Sequence, residues 1–203
     1  MNKEGKDEKI VCFSFGTICG IWVGKSGKAD LIFNLDFKQD GNYENYWELK
    51  PGETVLIDIY VSNVPDPGLI SIGFDIVYDQ TQLEVVSAGI DSTNWYIGSV
   101  QHTSPEIEMK GGRIMGLSGD NIKLGTIELK CKALGISELW LYDSDRGGDY
   151  DDFVLVGGTV LDYQIVNGVK LAEINNVPIP STLILLGSGL IGFLGLGRRM
   201  LIR

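Results

Sequence analysis

Five carboxylates fall within ten consecutive positions of the sequence, and hard cations prefer oxygen ligands at this density. Two glycines lie among them, so the segment is predicted to form a flexible loop. The spacing departs from the Asp-x-Asp-x-Asp-Gly pattern of a calcium loop. The sequence therefore leaves open a calcium site and a plain solvated hairpin tip. The carboxylates are Asp143, Asp145, Asp149, Asp151 and Asp152.

Side chains suited to catalysis are scarce. His102 is the only histidine, so no pair of imidazoles is available for a transition metal or for acid–base exchange. The polar segment around it, 101–105, is predicted to be a surface loop. No pair of carboxylates stands out for glycoside hydrolysis, and residues 116–119 lack the spacing of a nucleophile elbow. We predict that the protein is not an enzyme and needs no cofactor, with calcium as the one alternative.

Cysteine usage excludes two common ways of stabilising a small domain. Cys12 and Cys19 both lie in an apolar N-terminal run, which leaves Cys131 alone in the rest of the chain. No disulfide within the central domain and no Cys-x-x-Cys zinc site can then form. The central domain must depend on its hydrophobic core.

Aromatic residues suggest a surface for stacking sugars. The best candidate is the pair Trp95 and Tyr96, which follows the polar segment 91–94. Aromatic rings also fill the cores of β-sandwiches, so a core position is the alternative interpretation. The sequence predicts either a ligand platform or buried packing at this pair.

The central part of the chain is strongly acidic. Between Asp30 and Gly197 there are 24 Asp or Glu against nine Lys or Arg, a net charge of −15. Nucleic acid binding requires Lys and Arg to neutralise phosphates, so the composition argues against it. The same charge favours solubility outside the cell.

Residues 1–29 have the organisation of a signal peptide. Lys3, Lys6 and Lys9 precede an apolar run, 10–23, that is shorter than a spanning helix requires. Gly27 and Ala29 supply the small residues that a signal peptidase accepts. We predict cleavage after Ala29 and export, with a retained N-terminal anchor as the alternative.

The C-terminal end has the organisation of a membrane anchor. Residues 181–197 contain no charge, and the segment 179–197 would span about 28 Å as a helix, close to a bilayer's hydrocarbon thickness. Basic residues that follow a span favour the cytoplasm, which places the preceding domain outside. The residues of this signal are Val177, Pro178, Ile179, Pro180, Arg198 and Arg199.

This arrangement resembles the PEP-CTERM sorting signal of Gram-negative bacteria, in a Val-Pro-x-Pro variant. The resemblance covers 177–203 and departs from the family at Ile179, where Glu would stand. It implies a sorting peptidase as a partner and attachment to the inner membrane facing the periplasm, or display at the cell surface or outside the cell after sorting. An ordinary tail anchor is the alternative.

The segment between the two ends alternates in the manner of β-strands. From Glu53, Val55, Ile57, Ile59 and Val61 share one face. Similar short runs recur at 69–78, 83–88, 112–117, 122–134, 137–142, 153–156 and 159–166. Because Gly, Asn or Asp bounds them and no helical period intervenes, we predict an all-β, two-sheet sandwich. It would occupy 30–167, with 168–176 as a linker to the anchor.

Three motifs in this domain resemble the cohesin family, a group of jelly-roll sandwiches related to carbohydrate-binding modules. They are the strand 50–63, the Tyr-Asp-x-x-x-Leu turn within 73–86, and the hairpin 124–139. The turn lacks the family's Pro, since Gln80 stands there. Tyr78 is expected to cap the core, Asp79 to start the turn and Leu83 to return to the interior.

The resemblance implies a non-catalytic binding protein whose sheet surface docks an extracellular protein. Binding of a carbohydrate, such as an exopolysaccharide, is the alternative implied by the wider superfamily and by the sorting signal. A role as an accessory to a polysaccharide hydrolase ranks third.

Overall fold

The computed structural model describes residues 30–144, 153–165 and 167–178. These residues form eleven strands and one short 3₁₀ helix, Asp162–Gln164. The strands are β1 Ile32–Phe37, β2 Tyr46–Leu49, β3 Thr54–Ser62, β4 Val64–Val77, β5 Leu83–Ile90, β6 Ile97–Thr103, β7 Glu106–Gly119, β8 Ile122–Cys131, β9 Gly135–Tyr142, β10 Val154–Leu155 and β11 Val169–Asn176.

Two sheets pack face to face. The smaller sheet has the strand order β1-β3-β8-β5, and the larger has the order β2-β11-β9-β4-β7-β6, with β10 also paired to β4. Adjacent strands run antiparallel except β2 and β11, which are parallel. The predicted all-β sandwich is confirmed.

The core lies between the sheets and follows the period-two pattern. In β3, the four residues predicted to share one face are all at most 3% exposed. In β4, Ile72, Phe74 and Ile76 meet them from the larger sheet, each at most 1% exposed. Burying a side chain of this size contributes about 1.5–3 kcal/mol. The alternation therefore determines which face of each strand meets the core.

The C-terminal part of the sandwich corrects two predictions. The predicted strand at 159–166 contains the 3₁₀ helix instead, where the Asp162 carboxylate accepts a hydrogen bond of 2.8 Å from the Phe153 backbone N–H. The predicted linker at 168–176 contains β11, which lies between β2 and β9. A register shift between Lys170 and Ala172 interrupts its alternation and obscures the strand in the sequence.

Other differences concern strands that the sequence pattern underestimates. Strands β1, β2 and β6 are absent from the prediction, and the predicted loop at 101–105 includes the end of β6. The turn cluster at 64–68 lies within β4, where the ladder to β7 shifts register. The exposed residues of β6 and the prolines at 65 and 67 explain why β6 and the first part of β4 lack a strand pattern in the sequence.

The predicted signal peptide at 1–29 and the anchor from Ile179 onward lie outside the described residues. Within the part that the structure describes, no helix is long and apolar enough to cross a bilayer. Val177 and Pro178 follow β11 directly, and the Val177 backbone N–H donates to the Leu49 carbonyl. The sandwich thus extends up to the predicted sorting motif.

Candidate functional site

The side chains of the larger sheet that point away from the core form a surface that we call the acidic face. Successive residues of a strand point to opposite sides, so the buried Phe74, Ile107 and Leu139 place their neighbours on this face. Strand registers arrange these neighbours in three rows. The rows are Thr103, Glu106, Val77, Trp140 and Lys170; then Gln101, Glu108, Asp75 and Tyr142; then Ser99, Lys110 and Gly73.

Carboxylates dominate the middle of the acidic face. Asp75 and Glu108 are direct cross-strand neighbours of β4 and β7, and Glu106 lies one row away. Lys110 Nζ lies 2.6 Å from the Glu108 carboxylate. A shallow cavity of about 180 Å³ opens here, lined by Asp75, Gln101, Thr103, Glu106, Glu108 and Ser144. Such a cavity attracts positively charged groups.

An aromatic pair borders the carboxylates on β9. The rings of Trp140 and Tyr142 are close to parallel, with an interplanar angle of 27° and centroids 6.2 Å apart. The Trp140 indole N–H donates to Glu138, 3.1 Å away. Both side chains are half-buried. The face therefore combines apolar contact area with hydrogen-bonding groups, as protein and sugar binding surfaces both do.

An exposed ion pair lies at the edge of this aromatic pair. The Lys170 ammonium contacts Glu138 at 2.5 Å and Glu173 at 3.4 Å. Its hydrogen bond to Glu138 lowers the pKa of that carboxyl and raises the pKa of Lys170. The pair fixes the Glu138 carboxylate beside Trp140, so the negative charge of the face extends onto β9.

The predicted platform of Trp95 and Tyr96 is wrong for Trp95. This indole is 1% exposed, and its N–H donates to the Lys123 carbonyl at 3.0 Å, so it belongs to the core. Tyr96 is 60% exposed, and the Arg113 guanidinium lies 5.6 Å from its ring centroid. The two side chains, which precede β6, therefore do not form a shared surface. The spacing of Trp140 and Tyr142, two apart on a strand, was the signal for a shared face.

The structure describes only one of the five predicted calcium ligands. Asp143 is 3% exposed at the end of β9. The other four, Asp145, Asp149, Asp151 and Asp152, lie outside the described residues. In the described ranges, no group of three or more Asp, Glu, His or Cys side chains is placed to hold a metal. Calcium binding at this loop stays a prediction.

The outer side of the smaller sheet carries a structural polar cluster. Asp58 accepts hydrogen bonds from Lys123 and Thr126, each at 2.6 Å, and from Gln39 at 2.8 Å. Burial alone would raise the pKa of Asp58, but these bonds outweigh it and hold the pKa below its ordinary value. Burial, together with the Asp58 and Asp36 charges, raises the pKa of Tyr60 to about 12. The polar side chains on this side therefore link β3, β8 and the β1–β2 connection.

The Tyr-Asp-x-x-x-Leu turn has the structural role that its residues suggest. Tyr78 and Leu83 are 5% and 1% exposed. Asp79 accepts from the Thr81 backbone N–H at 2.8 Å and from its hydroxyl at 2.6 Å, and this bonding lowers the pKa of Asp79. His102 Nε2 lies 2.7 Å from the Tyr78 hydroxyl. The histidine thus stabilises the turn at this end of the sandwich.

Comparisons with known proteins agree with this architecture. The cohesin domain model matches residues 47–114, from β2 into β7. No curated protein matches the sequence. A type III cohesin module from the ScaE cell-surface anchoring scaffoldin of Ruminococcus flavefaciens aligns with a TM-score of 0.54 at 15% identity, covering 73% of this chain and 89% of its own.

A second solved structure gives the same result. The sixth cohesin of scaffoldin B from Acetivibrio cellulolyticus, in complex with a dockerin, aligns with a TM-score of 0.52 at 16% identity, covering 71% of this chain and 99% of its own. At these identities the alignments establish the fold alone. The chain is therefore shown to contain a cohesin-like, all-β domain.

Proposed function

We propose that this protein is a non-catalytic docking module that binds another extracellular protein through its acidic face. The observation that carries the proposal is the composition of that face. Carboxylates at 106, 108 and 138 that reach solvent adjoin an aromatic pair on adjacent strands. Because the strands are already ordered, little backbone conformational entropy is lost when a partner binds to this surface.

A basic protein is the partner that suits this surface. Among the described residues of the acidic face and the adjoining Glu173, four carboxylates that reach solvent stand against two lysines, while Asp75 is 5% exposed. The four are Glu106, Glu108, Glu138 and Glu173. Electrostatic complementarity then favours a partner with Lys or Arg at the contact, through faster association and through specificity. The similar solved cohesin from Acetivibrio cellulolyticus is in complex with a dockerin, which supports a protein partner here as well.

Charge reversal on the acidic face tests this proposal. The full chain carrying Glu106→Lys and Glu108→Lys should capture at least about tenfold less of a basic partner from the extracellular protein fraction than the wild type does, since each close charge pair is worth on the order of 1 kcal/mol or more. Glu84→Lys with Glu128→Lys, on the outer side of the smaller sheet, is the matched control. Equal loss in both variants would contradict docking through the acidic face.

Carbohydrate binding is the second candidate, and the pair Trp140 and Tyr142 favours it. Aromatic rings stack on sugar faces, and Glu138 supplies a carboxylate beside them. A glycan array probed with the full chain tests this function. Binding that disappears with Trp140→Ala, while the charge-reversal variant keeps it, would support sugar recognition in place of protein docking.

We also propose that the domain is exported and held at a membrane by the C-terminal segment. The apolar run at 10–23, the Val-Pro-Ile-Pro motif and the Arg198 and Arg199 pair support this. The mass of the mature protein shows whether the predicted signal peptide and the C-terminal segment are retained. Loss of residues 1–29 is expected, whereas an intact chain recovered from the cytosolic fraction would contradict export.

A further inference from the structure

Strand β6 forms an open edge of the larger sheet. It pairs only with β7 among the strands of the described residues, and six of its seven residues are exposed. Its register with β7 is regular from Ile97 to Thr103, without a bulge. A flat, regular edge presents backbone N–H and C=O groups that a further strand can pair with.

The other sheet edges are less open to such pairing than β6. Of the four outermost strands in the described part of the chain, β2 and β5 each carry an exposed acidic residue, Glu48 and Glu84. Strand β1 has one exposed residue, Ile32, and its Asp36 is 3% exposed. Strand β6, Ile-Gly-Ser-Val-Gln-His-Thr, contains no Asp, Glu, Lys, Arg or Pro. In a chain segment with a net charge of −15, it is the neutral edge at which two copies repel each other least.

We propose that β6 pairs antiparallel with β6 of a second copy of this chain. A strand paired with itself about its central residue, Val100, sets Ser99 opposite Gln101 of the other copy and Ile97 opposite Thr103. These outward pairs bring no like charges together. A two-fold contact of this kind is self-complementary and closed, so it yields a dimer and not a fibre.

The dimer would join two acidic faces. Because β6 borders the acidic face through Gln101 and Thr103, pairing two β6 strands extends each larger sheet into the other. Two docking surfaces would then lie side by side on one continuous sheet, and a partner with repeated binding motifs would gain avidity. Self-association itself does not depend on what the acidic face binds.

Sedimentation velocity of the full chain in mild detergent tests the pairing. One strand pair makes a small interface, so we expect a monomer–dimer equilibrium with a Kd on the order of 100 µM. Ser99→Glu should weaken it about tenfold, because two carboxylates would then approach across the two-fold axis. Within one chain Ser99 lies opposite Lys110, so this substitution is compatible with the fold.

Two further samples complete the test. Leu56→Glu, on an outer position of the smaller sheet that is 40% exposed, adds the same charge away from β6 and should leave the dimer unchanged. An equimolar mixture of Ser99→Glu and Ser99→Lys chains should restore association through opposite charges. A wild-type chain that stays monomeric to about 1 mM would overturn the proposal. Equal weakening by Leu56→Glu, or no restoration in the mixture, would also overturn it.

Discussion

Replacement of Trp95 by Ala should unfold the domain far more readily than replacement of its neighbour Tyr96. The indole is 1% exposed and contacts the inner side of β7, where a Cβ on Gly111 would lie 3.1 Å from Trp95 atoms. That close approach means the β7 backbone already touches the ring. Removing the ring leaves a hole that the rigid strand cannot move to fill.

The expected size of the effect follows from these contacts. Truncation of a buried Trp costs about 3–5 kcal/mol, and the lost hydrogen bond to the Lys123 carbonyl adds about 1 kcal/mol. We therefore expect Trp95→Ala to lower the free energy of unfolding by about 4–6 kcal/mol. Trp95→Phe keeps most of the ring volume and should cost about 2 kcal/mol. Tyr96→Ala, at an exposed position, should cost less than about 1 kcal/mol.

Urea unfolding followed by far-ultraviolet circular dichroism measures these differences without relying on tryptophan fluorescence. The order Trp95→Ala, Trp95→Phe, Tyr96→Ala should hold from most to least destabilised. If Trp95→Ala unfolds within about 1 kcal/mol of the wild type and instead loses binding to a glycan, the indole is a ligand platform and its assignment to the core is refuted.

Three other outcomes follow from the contacts described above. Asp58→Asn should cost about 2 kcal/mol at pH 7, because the Lys123 charge loses its partner while remaining able to reach water. The pKa of Asp58 is lowered in the fold, so the stabilisation by its carboxylate is present above about pH 4 and is lost as the pH falls. The wild type should therefore lose more stability than Asp58→Asn between about pH 5 and pH 2. Unfolding midpoints measured across this pH range check the difference. Gly116→Ala should destabilise the domain by more than about 2 kcal/mol, because the new Cβ would lie 2.0 Å from the Pro67 carbonyl oxygen. Its melting temperature should fall clearly below that of the control Gly89→Ala, where the Cβ would meet open space.

The parts of the fold that the sequence predicted are those where burial follows one simple period. Strands β3 and β4 meet the core on one side, so in β3 the buried Val55, Ile57 and Ile59 are separated by Leu56 and Asp58 on the outer side, and in β4 Phe74 lies between Gly73 and Asp75. Strand β11 has no such regular pattern. Its bulge brings the adjacent residues Leu171 and Ala172 both into the interior, which breaks the alternation.

The candidate site was harder to predict, for a different reason. The acidic face combines the β6–β7 hairpin with β4 and β9, which are distant from it in sequence, and only the strand registers bring Asp75, Glu108 and Tyr142 into one row. Residue type alone does not distinguish Trp95 from Trp140. The former lies before an edge strand and turns inward, whereas the latter lies between the buried Leu139 and Leu141 and must turn outward.

We expect partners to bind on the acidic face. Carboxyl footprinting of the full chain, with and without a captured basic partner, tests this binding because it labels the carboxylate side chains themselves. Labelling of Glu106, Glu108 and Glu138 should fall in the complex, while that of Glu84 and Glu128 stays constant. Protection of Glu84 and Glu128 with unchanged labelling of the acidic face would refute binding at that face.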